Sequence, residues 1–221
     1  MLPPTQAQLR GVVLLVPIAL LALGPYFSLW GVPSQPFPAE LGGVLLFLAA
    51  FVVGTLLHEG LHGLGHLWGR ASWADLRFGM HWTALTPFAR CTVPSRARAY
   101  RLAVALPGFV LGVLPLGIGL WSGHWLTTFY GFLMLVAAAG DLLVLWILRG
   151  VPSGAWVQDH PEAVGCLVVA TAEAPPPAPV SADDLPLDAE ENRDDFSLLH
   201  IGLLLVFSLA GSSIGFLIAL A

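Results

Sequence analysis

Residues 58–62 read His-Glu-Gly-Leu-His. On a helix, side chains four positions apart stand one turn apart on the same face. Two imidazoles so placed can reach one ion at about 2.0–2.1 Å, the length of a zinc–nitrogen bond. Glu59 sits beside the first histidine. It can reach a water on that ion and take its proton without binding the metal. H-E-x-x-H on a helix is therefore the local chemistry of a zinc-dependent peptidase, with His58 and His62 as ligands and Glu59 as general base. The setting sharpens the reading, because residues 43–68 are otherwise one long apolar run. Ionisable groups inside a membrane span are costly and are functional candidates by default.

A catalytic zinc usually has three protein ligands plus a water. The third must come from another part of the chain. Asp141, in Val-Ala-Ala-Ala-Gly-Asp-Leu-Leu (136–143), is the one carboxylate besides Glu59 in a spanning stretch. It lies eight residues before Arg149, so about 12 Å from that end of its helix at 1.5 Å per residue. His62 and His58 lie about 10 Å and about 16 Å from the same end of theirs. All three can meet at one level if the two helices pack side by side, with Ala137, Ala138, Ala139 and Gly140 allowing close approach. An unpaired aspartate at that depth would hold its proton. A zinc ion would remove that cost. His66 continues the i, i+4 series but is about 12 Å from His58 along the axis, too far to share its ion, and is expected at the membrane interface. His81 and His160 fall in cytoplasmic segments from which either could fold back. His124 and His200, at helix ends, read as surface histidines.

The elements that must position these groups are spans. The chain is 57% hydrophobic and 10% charged, against roughly a quarter charged in soluble domains. A span needs about 20 apolar residues. Five stretches qualify, at 11–31, 43–68, 102–121, 126–148 and 199–220. The first is too long for a signal-peptide core and no A-x-A cleavage site follows it, so it reads as an uncleaved helix. All nine basic residues are arginine. Every one falls on the same side if the N-terminus is cytoplasmic and the C-terminus outside, which satisfies the positive-inside rule. Trp30, Trp121 and Trp125 would mark the outer boundary, and Trp68, Trp73, Trp146 and Trp156 the inner one.

The expected fold is an all-α membrane protein of about five transmembrane helices, multi-pass in the cell membrane. It carries a short cytoplasmic β-like segment at 76–85, with 164–170 as a second strand candidate. Residues 1–170 would form the core, 171–197 a disordered acidic, Pro-rich loop, and 198–221 a C-terminal spanning helix. The net charge is −5, and ten of the fourteen acidic residues lie between Asp159 and Asp195. That is one acidic segment rather than an acidic protein, and nothing in it favours a nucleic-acid partner. Cys91 and Cys166 are too few for a disulfide framework and read as free thiols.

Six stretches carry a family resemblance. They are HEGLHGLGH (58–66), FGMHW (78–82), LTPFARC (85–91), YRLAVALPG (100–108), AAAGDLLVLW (137–146) and DHPEAVGC (159–166). In this order they resemble a bacterial membrane family of candidate zincin peptidases, distantly similar to site-2-type intramembrane metalloproteases. The resemblance covers 58–166. It implies a peptidase with His58 and His62 as zinc ligands, Glu59 as base, and Asp141 where site-2-type enzymes carry their third ligand. The Asp-His-Pro at 159–161 keeps His160 as the alternative third ligand.

The expected function is hydrolysis of peptide bonds in membrane proteins or membrane-proximal peptides, with zinc as cofactor and the lipid bilayer as surroundings. A non-catalytic metal-binding membrane protein, such as a transporter or sensor, would need the ligands but not Glu59. A membrane scaffold would need neither.

Overall fold

A computed structural model describes residues 4–81, 86–160 and 165–184. The expected fifth span and the acidic residues beyond 184 lie outside the described part, as do 161–164 of the Asp-His-Pro motif. Helix α1 is Pro4–Trp30 and α2 is Leu41–Trp68. A β-hairpin follows, β1 (Leu76–His81) with β2 (Thr86–Cys91), paired antiparallel from Leu76↔Cys91 to His81↔Thr86. Next come β3 (Ser95–Arg96), α3 (Ala97–Pro107), a π-helical segment (Gly108–Val113) and α4 (Leu114–Ser122). Helices α5 (Trp125–Ala137) and α6 (Ala139–Leu148) lead into β4 (Trp156–Asp159) and β5 (Cys166–Ala170). Strands β3, β4 and β5 form a second antiparallel sheet with β4 in the middle.

Two described helices are long and apolar enough to cross a membrane: Leu41–Trp68 and the continuous Ala97–Ser122. Helices α5 and α6 make a third if counted together, bent by 51° at their junction. The architecture is thus mostly helical, with more strand than the sequence suggests. Ser95–Arg96 and Trp156–Asp159 are too short to show an alternating pattern by themselves, and pairing defines them.

Helix α2 is turned inside out relative to a soluble amphipathic helix. Its buried positions are Gly54, His58, His62, Gly63, Gly65 and His66. Its leucines face outward, with Leu46 at 72% and Leu57 at 53% exposure. A leucine gains nothing by leaving lipid, so small residues and polar groups take the helix contacts. Gly54 lies under Tyr130 and Met134 of α5, and Gly65 lies directly against Ala103 of α3.

The break in the fourth span is at Ala138 and the ladder of the third is loosened at its centre. In the third span Pro107 precedes the π-helical segment and Pro115 follows it. Neither has an N–H to give, so the ladder relaxes to the wider repeat. Helix α3 packs against both α2 and α6 and links them. The second and fourth apolar stretches do touch, with Gly54 of α2 against Tyr130 and Met134 of α5, but that contact is not made at Gly140. Gly140 has open space where a side chain would be, and Ala138 meets Gly108 of the third span.

Below this bundle Ala97, Tyr100, Val104, Leu148 and Val157 form a buried cluster that joins α3, α6 and β4. Three arginines complete that end. Arg96 lies over the Trp156 ring at 4.0 Å and donates to the carbonyls of Gly154 and Ala172. Arg101 donates to the Leu148 and Val151 carbonyls and so satisfies the C-terminus of α6. Arg149 stacks on Trp146 at 3.8 Å. At the opposite end Trp30 donates to the Leu120 carbonyl, and Tyr26 donates to that of Gly123 at 2.8 Å.

Candidate metal centre

His58 and His62 stand one turn apart on the inner face of α2, with ring centroids 4.9 Å apart. They are 7% and 8% exposed. Asp141 reaches them from the first turn of α6, just past the bend. Its Oδ2 lies 3.0 Å from His58 Nε2, and its Oδ1 lies 3.4 Å from His62 Nε2. One ligand atom from each of the three residues falls within 4.8 Å of the others. The bend matters here. A straight fourth span would carry α6 onward along the α5 axis, whereas the 51° turn re-aims the segment that presents Asp141.

The donor set suits zinc. Four ligands at about 2.0–2.1 Å in a tetrahedron lie about 3.3–3.4 Å from one another, close to the spacings observed. The tautomers suit it as well. His62 Nδ1 is 3.0 Å from the Ala103 carbonyl oxygen. A carbonyl can only accept, so Nδ1 carries a proton, and Nε2 is the nitrogen left to face an ion. A metal-binding histidine is held in this way when its second nitrogen donates to a backbone carbonyl. His58 Nδ1 is buried without a hydrogen-bond partner among the described residues.

Glu59 is outside the donor set. One residue on from His58, it is rotated off the ligand face and half-buried, within electrostatic reach of both imidazoles and of Asp141. The backbone of Ala89 in β2 lies against its carboxylate. The hairpin is seated on α2 where Phe78 meets Gly63, since a side chain at 63 would strike the Phe78 ring.

Of the remaining histidines, His66, His124 and His160 lie elsewhere, while His200 and the His81 side chain fall outside the described part. His160 is buried and its backbone N–H donates to the Gly165 carbonyl, but it does not join the group of three. His66 is 4% exposed rather than interfacial. Helix α3 and strand β2 pack on α2, and His66 Nε2 faces Asp159 Oδ2 at 3.8 Å with its ring edge-on to Tyr100. His124 caps α5 by accepting the Thr127 N–H. His-Trp-Leu-Thr ahead of an apolar run signals such a cap, although histidine is an uncommon one.

Sequence reasoning passed over Asp159. Its carboxylate accepts the Cys91 N–H at 2.7 Å and the Tyr100 hydroxyl at 2.5 Å. Nothing local in Val-Gln-Asp-His marks it, because its partners are 68 and 59 residues away. Both cysteines are free. Burial, with Asp159 nearby, pushes the Cys91 and Cys166 thiols up to about 11. Neither is a ready thiolate ligand or nucleophile at neutral pH.

The described part is an apolar helical bundle with two histidines and a carboxylate gathered in its interior, a group that could hold a metal ion. The sequence model of the family described as "Putative zincin peptidase" matches residues 51–156, the stretch that carries His58, His62 and Asp141. No curated protein and no solved structure matches the chain.

Proposed function

We propose that the protein is a membrane-embedded zinc metallopeptidase that hydrolyses peptide bonds of membrane or membrane-proximal substrates. His58, His62 and Asp141 would hold the metal. Zinc, when bound, supplies a Lewis acid that brings the pKa of water to about 7 and polarises the scissile carbonyl. Glu59 takes a proton from the attacking water and passes it to the leaving amine. Asp141 balances the cation, and Ala103 keeps the His62 ring in its ligating orientation. One observation carries this reading: three donors suited to zinc meet on an apolar helix, with a carboxylate beside them that is not one of them.

The surroundings support a membrane substrate. The exposed leucines of α2 support a site inside a lipid-facing bundle, in the arginine-rich half of the helices. That half is cytoplasmic by the positive-inside rule, with the N-terminus on the same side. A spanning helix has its amides internally bonded and must unwind before attack. Strand β1, the other edge of the hairpin, offers an extended partner to an unwound segment. The buried His₂Asp arrangement also supports the distant likeness to site-2-type enzymes.

Glu59→Gln tests the proposal. The variant should retain one zinc ion per chain after purification in detergent. Its cleavage of quenched-fluorescent peptides should fall by at least about a hundredfold, the low end for loss of a general base. Unchanged cleavage would remove Glu59 from the chemistry. A wild type that carries no zinc would end the metallopeptidase reading.

A further inference from the structure

Asp159 ties three separate elements to β4. Oδ2 accepts the Cys91 N–H of β2 at 2.7 Å, and Oδ1 accepts the Tyr100 hydroxyl of α3 at 2.5 Å. His66, one turn beyond His62 on α2, faces Oδ2 at 3.8 Å. The Asp159 side chain is 16% exposed, and Cys91, Tyr100 and His66 are buried. A buried carboxylate with this many partners holds them in one arrangement, since losing any one leaves charge uncompensated.

Each tie leads to the metal centre by a short route. In a strand, residues two apart turn their N–H groups to the same edge. Cys91 and Ala89 therefore share the outer edge of β2, one meeting Asp159 and the other lying against Glu59. On α3, Tyr100 precedes Ala103 by three residues, so both lie on one helix face. Tyr100 binds Asp159, and the Ala103 carbonyl holds His62 at 3.0 Å. One carboxylate outside the centre thus sets the two backbone groups that touch its base and one of its ligands.

We infer that Asp159 is a positioning residue of the metal centre, aligning His62 through Tyr100 and α3, and Glu59 through Cys91 and β2. The inference rests on the metal-centre reading above, though not on catalysis. Cobalt(II), whose visible absorption reports ligand geometry, is the probe, titrated into the full chain in detergent. Asp159→Ala should raise the cobalt dissociation constant about tenfold, the low end for loss of the hydrogen bonds that orient metal ligands, and should change the visible bands. Tyr100→Phe removes one hydroxyl from an otherwise preserved ring and should weaken binding several-fold. It decides the matter if Asp159→Ala does not survive purification. Val157→Ala, in the same strand and fully buried, is the control. It should lower thermal stability and keep the cobalt affinity and spectrum.

Wild-type affinity and spectrum in both Asp159→Ala and Tyr100→Phe would overturn the inference. So would equal weakening in Val157→Ala, which would make the effect one of general packing. A wild type that binds no cobalt would remove this inference and the metal centre together. The expected cobalt pattern, in a zinc-loaded protein that cleaves no peptide, would sustain the role of Asp159 and discard the peptidase.

Discussion

One added methyl group, in Gly65→Ala, tests whether the α2–α3 contact orients the centre. A Cβ at position 65 would lie 2.4 Å from the Ala103 Cα and 2.8 Å from its Cβ. Carbon atoms rest about 3.5–4.0 Å apart, and neither obstacle can rotate away, so the helices must part by about 1 Å. His62 Nδ1 now sits 3.0 Å from the Ala103 carbonyl oxygen. Parting by about 1 Å stretches that contact to about 4 Å, beyond a hydrogen bond. The overpacking should cost about 1–3 kcal/mol of stability. The freed imidazole should cost about 10–100-fold in zinc affinity. The assay is competition for zinc against a chromophoric chelator in detergent, with a thermal melt in parallel. Gly60→Ala serves as comparison, because a Cβ there meets nothing within 4 Å. It should bind zinc as the wild type does. If Gly65→Ala also holds zinc within about twofold of wild type, the Ala103 carbonyl does not tune the site.

Further outcomes are expected. Asp141→Ala should lower bound zinc nearly as much as His62→Ala, while His160→Ala should leave it in place. Metal analysis of the purified variants reads this directly, and the reverse pattern would move the third ligand to the Asp-His-Pro motif. Cys91 and Cys166 should resist iodoacetamide at pH 8 in the folded protein and react once it is denatured, as followed by mass spectrometry. Their folded pKa values of about 11 exceed the ordinary 9.0. Folding favours the neutral thiol, so this part of the stability is complete below about pH 9 and is lost as pH rises through 11. Rapid labelling at pH 8 would contradict the raised pKa of both thiols.

Long-wavelength features were legible in the residues themselves. The membrane character follows from composition, and Leu41–Trp68 and Ala97–Ser122 follow from runs of apolar side chains that need no partner to be recognised. The 58–62 spacing places two imidazoles on one face because helical periodicity is local. Counting residues to the arginine-marked helix ends also brought Asp141 to the depth of the histidines. The hairpin was visible in part, through Leu-Arg-Phe-Gly-Met-His, because alternation is local as well.

Other features were decided by packing between distant parts of the chain. The 51° bend at Ala138 aims Asp141, yet Ala-Ala-Ala-Gly is compatible with a straight helix, so the bend comes from tertiary contacts. Burial of His66 involves Tyr100 of α3 and Asp159 of β4, both distant from it in sequence. The His62–Ala103 contact joins residues 41 apart, and the ties of Asp159 reach farther still. Sequence by itself determined which groups could bind a metal and that they lie in apolar helices, since composition and helical period act at short range. Tertiary structure decided which carboxylate faces them, which nitrogen of His62 points inward, and what holds the base in place. Those depend on hydrogen bonds and van der Waals contacts between side chains and backbone far apart in the chain, and no local pattern records them.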